Sequence, residues 1–181
     1  MDFIFVTSNK HKLREAEQIL GRKIKHVALE LDELQSLQVS DIVKSKAESA
    51  YKIVKKPVVV DDTGVYIKSL NGFPGAFVKW VLMAGGNEII CRLPKSGQSR
   101  EAYAEVCICL YDGRQHHVFS GKVHGNIAKR PMGNEKFHWD PIFIPRGYRI
   151  SFAQMSDAEK NRISHRGKAF RKLKKFLGGR K

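Results

Sequence analysis

An α/β fold with a mixed central β-sheet flanked by helices is the architecture this sequence predicts, on three observations. Short apolar runs of strand length recur along the chain, and segments with apolar residues at helical spacing lie between them. Neither class segregates into one half, so strands and helices belong to one mixed layer arrangement. With 181 residues, 42% of them hydrophobic, the chain can bury a full core, and one domain spanning residues 1–181 is expected.

Taken in order, Asp2-Phe-Ile-Phe-Val-Thr7 reads as a buried strand. Asn9 to Leu20 reads as a helix with Leu13, Ala16, Glu17 and Leu20 at helical spacing, closed by Gly21. Ile24 to Leu31 reads as a second strand. Ser40 is the expected cap of a helix from Asp41 to about Lys55, with Pro57 stopping it. Pro57-Val-Val-Val-Asp61 is a short apolar run ending in acid, which predicts a central strand whose tip reaches a site, followed by a Gly-rich turn. Gly75 to Ala84 reads as a helix ended by Gly85-Gly86. Ala102 to Tyr111 and Gln115 to Ser120 flank Asp112-Gly113 as a hairpin. Ser156-Asp-Ala-Glu159 is a capping box for a helix, and Ser164-His-Arg-Gly167 breaks it and starts a second one, with Ile163, Phe170, Leu173 and Leu177 on the core face.

Composition narrows the function classes. The opening residues turn polar at Thr7 and no apolar run approaches the roughly 20 residues of a membrane span, so a soluble protein without an export signal is expected. Cys91, Cys107 and Cys109 form no Cys-x-x-Cys pair and no zinc spacing, which fits a reduced cytoplasm. A formal net charge of +15 has two readings, a nucleic-acid footprint or an electrostatic funnel for a polyphosphate. No zinc finger, recognition-helix signature or aromatic strand motif supports the first.

The chemistry concentrates in a few places. Neither a Walker phosphate loop nor a Gly-x-Gly-x-x-Gly fingerprint occurs, so phosphates are held another way. The turn Thr7-Ser-Asn-Lys-His-Lys12 offers helix N-terminal amides, a hydroxyl, an amide side chain and lysines, which together suit an anion. Asp61-Asp62-Thr63-Gly64 sets adjacent carboxylates after a buried strand; strand alternation lets one face a cleft while the other buttresses it. Magnesium needs one or two carboxylates and otherwise keeps water and phosphate ligands, so Glu33 in Leu31-Asp-Glu-Leu-Gln35 is a candidate second donor. Phe137-His-Trp-Asp-Pro-Ile-Phe143 sets aromatic rings beside an acid, a combination able to stack on a base and read its edge, or to pack in the core. Ser164-His-Arg166 can bind a phosphate or a base carbonyl, or be a polar break in a basic helix.

In order, TSNKHKLREAE, DELQ, VVVDDTGVYIKSLNGFPGAFVKW, FHWDPIF and MSDAEKNRISHRGKAF resemble the inosine triphosphate pyrophosphatase family along essentially the whole chain. The resemblance implies a magnesium-dependent hydrolase that cuts inosine, deoxyinosine and xanthosine triphosphates to monophosphate and pyrophosphate. It further implies a homodimer with a cleft between two lobes. By the family pattern Thr7, Ser8, Asn9 and Lys12 cradle the triphosphate, Lys46 reaches it from the second helix, and Thr63 joins the substrate-binding set. Glu33 and Asp62 hold magnesium, and Asp62 helps activate the attacking water, with the division of base and ligand between Asp61 and Asp62 left open. Phe137 stacks on the purine, Trp139, Asp140 and Lys160 line its pocket, and His165 and Arg166 read the 6-keto edge. One departure stands out: His138 occupies a place where the family pattern has glycine, which implies a strained backbone or a reshaped base pocket. A pyrophosphatase for other modified nucleotides and a basic nucleic-acid-binding protein are the competing readings.

Overall fold

The computed structural model describes residues 2–134 and 138–179. Its chain order is β1 (Ile4–Val6), α1 (Lys10–Leu20), β2 (His26–Val27), α2 (Val39–Val54), β3 (Val58–Ile67), β4 (Pro74–Gly75), α3 (Val78–Arg92), β5 (Glu101–Tyr111), β6 (His116–Ile127), β7 (Phe143–Pro145), α4 (Asp157–Ile163) and α5 (His165–Gly178). The sheet is mixed, in the order β2-β1-β3-β5-β6-β7 with β4 paired to β3. The strands β2, β1 and β3 run parallel, joined by helical crossovers, and β3, β5, β6 and β7 are antiparallel.

Packing follows strand parity. On β3, Val59 joins a core with Phe5, Leu20, Ile108, Leu110, Phe170 and Leu173 under α1 and α5. Val58 and Val60 face the other way and pack with Val43, Ala47, Ala50, Cys107 and Cys109 under α2. A further core gathers Val65, Ile67, Ile90, Trp139, Phe143 and Phe152 at the far end of the long strands. The sheet therefore separates α1 and α5 from α2, and whatever sits on β3 between these cores is held from both faces.

Several expected boundaries move. The run at 57–61 does not end in a Gly-rich turn: β3 continues through Asp61-Asp62-Thr63-Gly64 because β5 pairs with it without a break, from Val58↔Tyr111 to Ile67↔Ala102. Ser40 is not the cap of α2; the N-cap is Gln38, without a side-chain bond, because Val39 is already buried as part of the helix. The strand expected over 24–31 shortens to His26–Val27, since β1 beside it is only three residues long. Pro74-Gly75 pairs with β3, so α3 starts at Val78. Gly85 (φ −166°) and Gly86 (φ 69°) do interrupt that helix, but it resumes and reaches Arg92. The second hairpin strand runs past Ser120 to Ile127.

The C-terminal expectation holds. Ser156 accepts from the Glu159 amide and Glu159 returns to the Ser156 amide, and Ser164 both ends α4 and caps α5. The first turn of α5 lies directly on β6 at Gly121, where an added Cβ falls 2.0 Å from the His165 carbonyl oxygen and 2.8 Å from the Ala169 nitrogen, both backbone atoms. Gly121→Ala is expected to push α5 off the sheet and destabilise the protein by about 1–3 kcal/mol. Urea denaturation of the variant beside the parent measures it; an unchanged midpoint would show that α5 is not seated by this contact.

Candidate functional site

A groove of about 630 Å³ runs past the C-terminal end of β1, the middle of β3, the segment 29–35 and the start of α3. The turn after β1 is built by Asn9, whose Oδ1 accepts from the His11 amide (2.9 Å) and the Lys12 amide (3.2 Å), while Thr7 Oγ1 accepts from the Asn9 amide (3.1 Å). Asn9 is thus the N-cap of α1, and it aims Lys12 back across the groove floor.

The adjacent acids of β3 have different surroundings, as strand alternation requires. Asp61 lies on the α1 and α5 side and is almost fully buried; Lys12 Nζ donates to its Oδ1 (3.1 Å) and Arg166 Nε to its Oδ2 (3.2 Å). Burial pushes its carboxyl up, but Lys12 and Arg166 outweigh that and hold it below the ordinary value. Asp62 faces the groove. Its Oδ1 accepts from the Thr63 amide (2.8 Å), and among the described residues it makes no ion pair. Burial raises its pKa, against the pull of Lys12 and Lys46 and helped by Asp61.

Glu33 is on the same groove wall, gripped by Lys46 Nζ at 2.6 Å and Lys79 Nζ at 3.4 Å. Burial raises its carboxyl and the lysines lower it, with a net shift downward. Lys79, which the sequence reading did not single out, is therefore part of the site; its place in VKW beside the short sheet edge carried no signal of its own. Among the described residues no group of three or more His, Cys, Asp or Glu side chains converges on a metal position. Two carboxylates, one with no cation partner, do suit a magnesium ion that draws its remaining ligands from water and phosphate.

Thr7, Ser8, Asn9, Lys12, Glu33, Lys46, Asp61, Asp62, Thr63 and Trp139 all line this groove. Asp140, Lys160, His165 and Arg166 do not. They lie behind it, each at 6% exposure or less, in a ladder of alternating charge. Lys160 Nζ reaches Asp140 Oδ2 (2.5 Å) and Glu15 Oε1 (2.6 Å), and Arg166 Nη1 reaches Glu15 Oε2 (2.6 Å) before its Nε meets Asp61. Arg166 Nη2 also donates to Thr63 Oγ1 (3.3 Å). Glu15, the hub of this ladder, is in sequence only one residue of a helix; its role is visible only once α1, α4 and α5 are brought together. Trp139 packs its ring in the core, 5.1 Å from the His165 ring. His165 is fully buried, and among the described residues neither of its ring nitrogens has a partner; burial, then Arg166 and Lys160, push its pKa well below the ordinary value, so it is neutral. Phe137 lies outside the described residues.

His138 carries the strained backbone expected of a side chain at a glycine-like position, with φ 34°. Its carbonyl accepts from Asn87 Nδ2 (2.8 Å) and its Nε2 accepts from Asn9 Nδ2 (3.1 Å), tying the segment at 138 to α3 and to the turn after β1.

Asp140 shares one ammonium with Glu15, and its Oδ1 is buried without a partner, so burial raises its pKa to about 6 despite Lys160. The sign follows: between the ordinary Asp value and about 6 the folded protein binds more protons than the unfolded chain, so this group's contribution to stability falls as pH rises through that window. The stability of the parent relative to Asp140→Asn should therefore drop between pH 4 and pH 7, by on the order of 2–3 kcal/mol. Denaturant titration of both proteins at the two pH values measures it, and a constant difference would place Asp140 at an ordinary pKa.

Comparison with known proteins places this geometry. The Ham1 family matches residues 3–176. The dITP/XTP pyrophosphatase of Hyperthermus butylicus is 37% identical over 177 residues, covering 96% of this chain and 93% of that protein. The inosine triphosphate pyrophosphatase of Schizosaccharomyces pombe is 39% identical over 183 residues, covering 98% and 96%. The structure of the Staphylococcus aureus Ham1 protein superposes with a TM-score of 0.78 at 26% identity, covering 99% of this chain and all of that one.

Proposed function

The chain belongs to the Ham1 family, and from that premise we propose that it hydrolyses inosine, deoxyinosine and xanthosine triphosphates to the monophosphate and pyrophosphate. The observation that carries the reading is Asp62, a groove-facing carboxylate with no cation of its own, surrounded by Lys12, Lys46, Lys79 and Glu33. A triphosphate with its metal supplies what this arrangement lacks.

In this reading the phosphates lie along the turn Thr7-Ser8-Asn9 and across Lys12, Lys46 and Lys79. Phosphate oxygens compete with Glu33 for Lys46 and Lys79, so substrate binding frees Glu33, and Glu33 and Asp62 are the carboxylates that would hold magnesium. Held by Glu33 and Asp62, magnesium would supply neutralisation of the charge developing on the phosphate oxygens and on the leaving group. Water attacks the α phosphorus, the bond to the bridging oxygen of the β phosphate breaks, and Asp62 takes the proton from the water. Asp61 is not the base: both its oxygens are engaged by Lys12 and Arg166 and its pKa is lowered, so it positions those cations. Arg166 acts through Asp61 and Glu15, whereas the sequence pattern had it reading the base. His165 is buried behind Trp139 together with Asp140 and Lys160, so Trp139 is the residue of that set that borders the groove, with Phe137 as the stacking partner by family pattern. A homodimer is supported by Trp80 and Met83, which expose apolar surface three residues apart on α3. No described helix is long and apolar enough to cross a membrane, and the three cysteines are buried free thiols, in keeping with a cytoplasmic enzyme.

The decisive measurement is pyrophosphate release with magnesium from inosine, xanthosine, guanosine, adenosine and pyrimidine triphosphates. Release from the first two should dominate, and Asp62→Asn should lower kcat by roughly 10²-fold or more with the melting temperature kept. Asp61→Asn should instead destabilise the fold, by about 3–5 kcal/mol, because it removes one of the two carboxylates that pair the buried Arg166 and the one that holds Lys12. Absence of release from every triphosphate would overturn the enzyme reading.

His138 has its own test. Replacing it with glycine relieves the positive φ and removes the ring from Asn9, and the ratio of kcat/KM among inosine, xanthosine and guanosine triphosphates should change while turnover of the preferred one survives. An unaltered ratio would leave His138 without a part in base choice.

A further inference from the structure

Outside the groove, the most sharply organised feature is the outer face of α5. Lys168, Arg171, Lys172 and Lys175 stand at i, i+3, i+4 and i+7, all exposed, opposite the buried stripe Arg166, Ala169, Phe170 and Leu173. From Asn161 to Gly179 the sequence has no acidic residue. Three of these cations are not loosely splayed. Lys168 Nζ donates to the Lys122 carbonyl (2.8 Å) and Lys172 Nζ to the Ser120 carbonyl (2.6 Å), both on β6. Arg171 Nη1 and Nη2 donate to the carbonyls of Asn161 and Arg162 (both 2.9 Å). Carbonyls fix the position of a cation without neutralising it, and an ammonium or guanidinium so held keeps further N–H donors for another acceptor. Among the described residues no carboxylate pairs with any of the four.

We infer that this stripe is a docking surface for the phosphate backbone of duplex DNA. A row of positioned, unneutralised cations complements a row of phosphates, and a protein that neutralises several phosphates gains its affinity by counterion release. Two other polyanions fit less well. Insertion in an anionic membrane needs an apolar helix face free to enter the bilayer, and that of α5 is buried against Phe5 and Val106. Single strands are held by stacking on aromatic rings, and Phe176, on the same helix as the stripe, is packed on His117 and Phe119. The surface is separate from the groove and independent of the hydrolysis proposed above.

The test is fluorescence anisotropy of a labelled duplex DNA oligonucleotide with the intact protein, titrated in KCl from 50 to 200 mM. The same is done with the single strand and with phosphatidylserine vesicles. The expected result is duplex binding whose log affinity falls against log salt with a slope of about −3.6, for four phosphates at roughly 0.9 each. Neutralising Lys168, Arg171, Lys172 and Lys175 to Gln should weaken binding more than tenfold and flatten the slope, with pyrophosphate release unchanged. A control with Lys25, Lys44, Lys52 and Lys56→Gln makes the same change in net charge elsewhere on the surface and should bind like the parent. If the stripe variant melts early, Lys168→Gln and Lys172→Gln singly should each lower the slope by about one. Equal weakening by both quadruple variants, tighter binding to the single strand or vesicles, or no salt-dependent binding to the duplex would each overturn the proposal.

Discussion

The structure hangs on one buried guanidinium. Arg166, at the start of α5, is enclosed by protein and binds Glu15 of α1 and Asp61 of β3. Glu15 extends the contact to Lys160 of α4 and thence to Asp140, while Asp61 extends it to Lys12. Such a ladder is a poor source of net stability, because each ion pays desolvation that its partners only partly return. Its effect is positional. Removing any one member leaves an uncompensated buried charge, worth about 3–5 kcal/mol, against a total margin of about 5–15 kcal/mol for a domain. Helices α1, α4 and α5 therefore have one compatible arrangement around β3, and the groove takes its shape from it.

The same ladder explains how neighbouring aspartates come to differ. Parity sends Asp61 to the α1 and α5 side and Asp62 to the side of α2, where Val58 and Val60 also point. Asp61 meets cations already fixed by the fold and stays ionised. Asp62 meets an open groove, and burial without a partner raises its pKa. Two identical side chains, one peptide apart, acquire a structural and a chemical role from the direction of a strand pleat, and the loss of an acid at either place has a different consequence.

Much of the architecture was legible because it is local. Asn9 caps α1 and Gly21 ends it in the left-handed conformation; the Ser156 capping box and the Ser164 double role are written in short spacings. What was illegible depends on partners distant in sequence. The continuation of β3 past Asp61 is dictated by β5, some forty residues on, which overrides the turn signal of Thr63-Gly64. Glu15 and Lys79 look like ordinary helix surface until Arg166 and Glu33 face them. Conversely, the family resemblance implies Asp140 and Lys160 on the base pocket and Arg166 at the 6-keto edge, and the structure places them behind the groove, where opposite charges permit burial.

The electrostatics also separate the chain's excess of positive charge into distinct kinds. In the groove, Lys12 pairs with Asp61 while Lys46 and Lys79 share Glu33, so a polyanion must displace a carboxylate to bind these lysines. On the outer face of α5, Lys168, Arg171 and Lys172 are held by carbonyls and remain unmatched. The first arrangement favours a ligand that brings its own cation, since the displaced carboxylate then gains a partner. The second favours a ligand that brings only negative charge. Net charge alone treats the two as one quantity; the hydrogen-bond partners of each lysine tell them apart.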